Sequence, residues 1–109
     1  MTKKDLVYLL DIKDAINEID TFIRNNERDL RTYRAIERNI EIIGEACSKI
    51  SQVTKDKYPH IAWRAIKSMR NMIAHEYSRV SYERVWSIAD KEIYELLEQV
   101  EEIIKSYQD

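Results

Sequence analysis

The sequence predicts an all-α fold, an up-and-down bundle of four helices with room for a short extra helix. One glycine and one proline among 109 residues leave little turn chemistry for a many-stranded sheet. Apolar residues recur every three or four positions along most of the chain, which is the spacing of one helical face. The chain is long enough for one hydrophobic core and too short for two, so residues 1–109 are predicted to form a single domain.

The first two helices are predicted from about Lys4 to Asn25 and from about Asp29 to Val53. The core-facing stripe of the first helix is Leu9, Ile12, Ile16, Ile19 and Ile23. The stripe of the second helix is Tyr33, Ile36, Ile40, Ile43, Cys47 and Ile50. Because only the short segment "RNNERD" interrupts the pattern, we expect the two helices to be antiparallel neighbours.

Pro59 in "TKDKYPH" marks the clearest break, because proline disfavours helical conformation in the residue before it and suits a helix start. The third helix follows, with an apolar face made of Ala62, Ala65, Ile66, Met69, Met72 and Ile73. Ser81 is expected to cap the last helix, since a serine hydroxyl accepts hydrogen bonds from backbone amides at that position. The core-facing residues of the last helix are predicted to be Val85, Ala89, Ile93, Leu96, Val100, Ile103 and Tyr107.

The composition excludes several classes of protein. Cys47 is the single cysteine, so it cannot form an intrachain disulfide and is predicted to be a small core or interface residue. His60 and His75 belong to no cluster with metal-ligand spacing, so we predict no metal and no cofactor. Gly44 lies inside a helical pattern, where we expect it to permit close approach of another helix. No segment has the apolar length of a membrane span or the core of a signal peptide, so we expect a cytoplasmic protein without a membrane partner.

Positive charge is concentrated in one part of the chain. From His60 to Arg84, five lysines and arginines face two acids, a balance of +3; since the whole chain carries −2, the remainder carries −5. A pI near 5.7 argues against a protein that coats nucleic acid non-specifically. The local basic region remains compatible with a small polyanionic substrate or an RNA end. For most of the individual charges, a solvated helix face is the alternative interpretation.

The octapeptide "RNMIAHEY", Arg70 to Tyr77, places polar residues within an amphipathic helical pattern. At 100° per residue, Asn71 and His75 lie one turn apart and nearly opposite the core-facing side, with Ala74 beside them. Arg70 and His75 lie about 140° apart on an ideal helix, so spacing alone does not bring them together. Either the helix unwinds near His75 or a second copy of the chain supplies the opposite wall of a cleft, and we favour the second. A two-fold interface is therefore predicted at Asn71, Ala74 and His75.

Arg70 and His75 suit the chemistry of phosphodiester cleavage. Histidine accepts or donates a proton near neutral pH, and arginine stabilises the charge that develops on a phosphoryl group. Asn71 could hold the imidazole or a phosphate oxygen, and Tyr77 could add a hydroxyl to the same network. In the alternative interpretation, His75 interacts with the last carbonyls of its helix and Arg70 is a surface ion-pair partner.

Four stretches of the chain carry a resemblance to a known family. "RNMIAHEY" fits the pattern R-x4-H-x-Y and resembles the signature of the HEPN superfamily, in particular the HepT-type toxins paired with MntA-type minimal nucleotidyltransferases. "RAIERNIEIIGEACSKI" is similar to the second-helix motif of that family. "YPHIAWRAIKSMRNMIAHEYSRV" is similar to its third-helix block, and "YERVWSIADKEIYELLEQVE" to its last helix.

The resemblance implies a homodimer that brings two motifs into one cleft and cuts RNA, with tRNA as the expected target. No metal ion would be needed, and the product would be a 2′,3′-cyclic phosphate. Arg70 and His75 would be the catalytic pair, with Asn71 in support. Tyr77 would be the tyrosine that a cognate MntA-type nucleotidyltransferase modifies with AMP. The alternative is a non-catalytic subunit that binds a nucleotide or a nucleotidyltransferase, or an antitoxin.

Overall fold

A computed structural model describes residues 3–25, 27–75 and 79–108, and the all-α up-and-down bundle predicted from the sequence is confirmed. The helices are α1 (Lys3–Asn25), α2 (Leu30–Lys49), α3 (Gln52–Lys57), α4 (Trp63–His75), α5 (Arg79–Ser87) and α6 (Ile93–Gln108). A π-helical turn, Ile88–Glu92, joins α5 to α6. Within the described ranges there is no strand.

The predicted apolar stripes meet in one core. The side chains that are almost completely buried come from three parts of the chain: Leu9, Ile12, Ile16 and Ile19 from α1, Ile36, Ile40 and Ile43 from α2, and Val85, Ile88, Ile93, Val100 and Ile103 from the last helices. α1 lies in the middle of the bundle, because it packs against both α2 and α6. α2 in turn packs against both α1 and α4.

The end of α2 differs from the prediction. We expected the second helix to run to Val53, but α2 ends at Lys49, Ile50 is extended, and the short helix α3 begins at Gln52. The Ser51 hydroxyl caps α3 by accepting a hydrogen bond from the Thr54 amide. The start of α2 follows the sequence more closely: Asp29 accepts a hydrogen bond from the Thr32 amide at 2.9 Å, and this bond holds the pKa of Asp29 below its usual value.

A buried carboxylate holds the chain at this break. Asp5 of α1 is only 2% exposed and accepts hydrogen bonds from the Ser51 amide at 2.9 Å and the Ser51 hydroxyl at 2.6 Å. It also accepts one from the Thr54 hydroxyl at 2.6 Å. Because a buried carboxylate is stable only when its oxygens are satisfied, this cluster fixes the first turn of α1 to the start of α3.

The last helices also correct the prediction. Ser81 is not an N-cap, because α5 already begins at Arg79 and the backbone of Ser81 is helical. Downstream, the Arg84 guanidinium donates to both carboxylate oxygens of Glu92, an ion pair that spans the join between α5 and the π-helical turn and raises the pKa of Arg84. No helix in the described part of the chain is both long and apolar enough to cross a membrane.

Cys47 is a core residue, as the sequence predicts. Its side chain is buried and its thiol lies 3.7 Å from the carbonyl oxygen of Trp63, toward which it donates. Burial raises the pKa of the thiol, and the nearby ammonium groups of Lys55 and Lys67 oppose that shift. A buried, protonated thiol is a poor nucleophile, so Cys47 contributes packing.

Candidate active site

Helix α4 carries the first six residues of the octapeptide, Arg70 to His75, and its packing sets which of its described side chains face the solvent. Ile66 is buried and Met69 is half-buried against α2, as predicted. The prediction is wrong for Ala62 and Ala65, which are exposed because α4 docks mainly on α2 and leaves its N-terminal flank uncovered. The side chains of Met72 and Ile73 lie outside the described part of the molecule.

The helix remains regular through His75. The helix is therefore not unwound between Arg70 and His75. An unbroken helix keeps the separation of about 140° between these two positions. The imidazole itself, the Ala74 side chain and Tyr77 lie outside the described residues, so their predicted roles stay predictions.

Arg70 of α4 packs against α2 at Gly44. A Cβ placed on Gly44 would lie 2.6 Å from the Arg70 Cβ, 3.3 Å from its Cγ and 3.4 Å from its Cδ. The stem of Arg70 therefore lies directly on the α2 backbone at Gly44. Its side chain is half-buried, and it makes no ion pair with any other residue the structure describes. Arg70 thus fits the alternative interpretation, a surface ion-pair partner, poorly.

Asn71 follows Arg70 and is exposed, on the side of α4 that faces away from Ile66. The structure thus places Arg70 against α2 and Asn71 toward solvent, one residue apart. An arginine with its stem packed and its charge unpaired among the described residues is suited to bind a phosphoryl oxygen, because its guanidinium is free to donate. Arg70 and Asn71 are the two predicted site residues whose side chains the structure describes.

A basic depression lies between α3 and the first half of α4. It encloses about 860 Å³, and its charged residues are Lys55, Arg64 and Lys67, with the indole of Trp63 also in its wall. Sequence reasoning missed Lys55, because it began the basic region at His60. The lysines of "TKDK" were the available signal, but only the packing of α3 beside α4 brings Lys55 to the same surface.

A second, smaller cavity of about 180 Å³ lies between α4 and the last helices. Its floor is apolar, formed by residues such as Ile40, Ile66 and Leu96, and the Arg84 at its rim is paired with Glu92. Among the described residues that line this cavity, the one arginine or lysine is therefore already engaged in an ion pair. Among the described residues, no three His, Cys, Asp or Glu side chains are grouped so that they could share a metal ion.

The chain is similar to proteins of one family along most of its length. Residues 11–103 match the family described as "Ribonuclease HepT-like". A protein of Methanocaldococcus jannaschii named "Putative RNase" is 36% identical over 111 residues, which cover 96% of this chain and 92% of that protein. The "Probable ribonuclease HepT" of Thermococcus cleftensis is 34% identical over 103 residues, which cover 90% of this chain and 94% of that protein. No solved structure matches the fold significantly.

Proposed function

The chain belongs to the HepT-like family, and we propose that it is itself a ribonuclease, an RNA endonuclease that works without a metal ion. The observation that carries the proposal is Arg70: its stem is packed on Gly44, and its charge is unpaired among the described residues. An arginine unpaired among the described residues and a histidine five positions later are the two kinds of group that phosphodiester cleavage needs. Cleavage of RNA by the purified chain in excess chelator tests it.

The reaction we propose uses the RNA's own 2′-hydroxyl as the nucleophile. The 2′-oxygen attacks the adjacent phosphorus while its proton passes to a His75 imidazole. The bond from phosphorus to the 5′-oxygen breaks, and that oxygen takes a proton from a second, protonated His75. The products are a 2′,3′-cyclic phosphate and a 5′-hydroxyl. Arg70 stabilises the negative charge that builds on the non-bridging oxygens during the transfer.

A two-fold dimer would supply the second histidine. Because α4 stays helical through His75, positions 70 and 75 of one chain lie about 140° apart around the helix axis, and a second copy is the simplest source of the opposing groups. We propose that Asn71, Ala74 and His75 lie at or beside this interface. The exposure of Asn71 in the single chain is compatible with that placement. A dimer in light scattering is the expected result.

We further propose that tRNA is the target and that the enzyme is the toxin of a toxin–antitoxin pair. Its antitoxin would be an MntA-type nucleotidyltransferase that uses ATP. In the modification, the Tyr77 oxygen bonds to the α-phosphorus of ATP, pyrophosphate leaves and the phenol proton passes to solvent. The added phosphate carries about one negative charge and would compete with RNA for Arg70. Growth arrest on expression of the chain alone separates a toxin from a binding subunit or an antitoxin.

We predict that Tyr77→Phe abolishes modification by the partner, because the variant lacks the only atom that forms the new bond. Intact-mass analysis after incubation with the partner, ATP and magnesium should show a gain of one AMP in the wild type and none in Tyr77→Phe. Tyr94→Phe is the matched control, since Tyr94 is a tyrosine of α6 whose side chain is 36% exposed. An AMP-sized gain that persists in Tyr77→Phe would move the modification to another residue.

A further inference from the structure

The basic depression between α3 and α4 has the composition of a polyanion site. Its polar residues are three cations, Lys55, Arg64 and Lys67, together with the uncharged Gln52 and Ser68, and no aspartate or glutamate of the described chain lines it. The remaining wall is apolar and includes Ile61 and the half-buried indole of Trp63. None of the residues that line the depression belongs to the proposed catalytic set.

The three cations converge from two helices without acidic partners. Lys55 on α3 and Lys67 on α4 line the same depression, together with Arg64. Neither they nor Arg64 forms an ion pair within the described ranges, whereas Arg24, Arg34 and Arg38 each pair with an acid on their own helix. Like charges held together without a counter-charge repel one another, and a bound anion would relieve that repulsion.

The depression also lies in line with the proposed active site. Arg64, Lys67, Asn71 and His75 are spaced by three, four and four residues, so they follow one face of α4. Lys67 precedes His75 by about 12 Å along the helix axis and Arg64 by about 16 Å, at 1.5 Å per residue. A strand of RNA whose scissile phosphate lies at His75 would therefore reach the depression with its flanking nucleotides.

Trp63 adds a fixed aromatic surface to the same wall. Its indole N–H donates to the carbonyl oxygen of Tyr58 at 3.0 Å, which holds the ring in place. A nucleobase stacks favourably on such a ring, whatever its identity. Cations beside a fixed aromatic ring are the combination that single-stranded nucleic acid requires.

We propose that this depression is a subsite for single-stranded RNA that flanks the cleaved bond, with the three cations on the phosphates and Trp63 under a base. The inference rests on the proposed ribonuclease function. It predicts that Arg64→Gln/Lys67→Gln weakens binding of a uridine dodecanucleotide to the His75→Ala protein by about tenfold. Loss of two phosphate contacts should also reduce the slope of log affinity against log salt by about 1.4.

The control is Lys91→Gln/Lys105→Gln, which removes the same charge from exposed lysines of the last helices. Unchanged affinity in the control and the tenfold loss in the test variant would support the subsite. The subsite predicts too that kcat/KM for the dodecanucleotide falls about tenfold relative to that for the dinucleotide UpU. Equal losses in the two double variants, or an unchanged salt slope, would overturn it.

The experiments separate the proposed subsite from the proposed ribonuclease function. If the wild type cleaves the dodecanucleotide and the Arg64→Gln/Lys67→Gln variant binds it as tightly as the parent, the subsite is wrong and the ribonuclease stands. If no RNA is cleaved while binding still depends on these two cations, the ribonuclease is wrong and the depression is an RNA-binding surface.

A second inference concerns Gly44 and is carried by a separate contact. Gly44 lies within α2 and has no positive φ, so its backbone conformation does not require glycine. A glycine in the middle of a helix is otherwise unfavourable compared with alanine. Glycine is needed here for space, because a Cβ at this position would lie 2.6 Å from the Cβ of Arg70. The distance is far below van der Waals contact, and the obstacle is the root of the side chain rather than its flexible end.

We infer that Gly44 is a positioning residue for Arg70. By letting α4 rest directly on α2, it fixes the height of the Arg70 stem and hence the place of its guanidinium. Gly44→Ala should therefore move Arg70 outward and lower kcat about 10- to 100-fold with little change in KM, since a displacement of about 1 Å can cost that much in rate. Because the added Cβ meets the root of the Arg70 side chain, α2 and α4 must also separate slightly, so the melting temperature should fall while the fold is retained.

A double-mutant cycle separates positioning from a general loss of structure. In an Arg70→Ala background, Gly44→Ala should lower the residual rate no further, because the group it displaces is already absent. Ser48→Ala, an exposed change one turn further along α2, is the control and should keep the wild-type rate. Wild-type kcat in Gly44→Ala, an equal loss in both backgrounds, or failure of Gly44→Ala to fold would each overturn the assignment.

Discussion

His75→Ala should lower the rate of RNA cleavage by about 10²- to 10⁴-fold, the usual contribution of a positioned general acid or base. Arg70→Ala should lower kcat by about 10²- to 10³-fold, because it removes the charge that stabilises the transferring phosphoryl group. Arg70 is half-buried and is not a residue of the hydrophobic core, so Arg70→Ala should melt near the wild-type temperature. Initial rates on a defined RNA, with circular dichroism to verify folding, measure the effect.

His60→Ala is the control for the histidine. His60 is the other histidine of the chain, and it is exposed beside Glu102, at the end of α4 opposite His75. We expect this variant to cleave at the wild-type rate. If His75→Ala and His60→Ala were equally active, the imidazole of His75 would have no part in proton transfer and the proposed mechanism would be wrong.

Asp5→Asn should lower the free energy of unfolding by about 2 to 3 kcal/mol. The buried carboxylate accepts hydrogen bonds from Ser51 and Thr54, and an amide of the same size turns one acceptor oxygen into a donor that faces other donors. Bonds to a charged group are also stronger than bonds to a neutral one. The midpoint of urea unfolding should fall while the slope of the transition stays constant.

Asp11→Asn provides the comparison, since Asp11 lies on the same helix but is exposed. Its substitution should change stability by no more than about 0.5 kcal/mol. A urea midpoint for Asp5→Asn as high as that of Asp11→Asn would show that the cluster at Ser51 contributes little to stability.

Local sequence patterns predict the helices well, but they fail where a contact with a residue distant in sequence sets the end of a helix. The stripes of α1 and α2 are buried as expected, because the period of an α-helix and the burial of one face are set by residues a few positions apart. The end of α2 at Lys49 depends on Asp5, which bonds to Ser51 across 46 residues. No sequence pattern near Val53 indicates that contact.

In the candidate active site, too, local spacing predicts some features and tertiary contacts determine the others. The helical spacing places Asn71 away from the core-facing side, and its side chain is exposed. The packing of the Arg70 stem on Gly44, and the arrival of Lys55 beside Lys67, depend on where α4 crosses α2 and where α3 lies. These are tertiary contacts between elements, and a single sequence shows the residues without showing which of them meet.

Cleavage of RNA by the purified chain in excess EDTA tests the central claim most directly. The account predicts that the wild type cuts the RNA and leaves 2′,3′-cyclic phosphate and 5′-hydroxyl ends. His75→Ala, prepared in parallel, should leave the same RNA intact over the same time and so exclude a contaminating nuclease. RNA that survives the wild-type protein in EDTA, or that is cut only after a divalent metal is restored, would contradict the account.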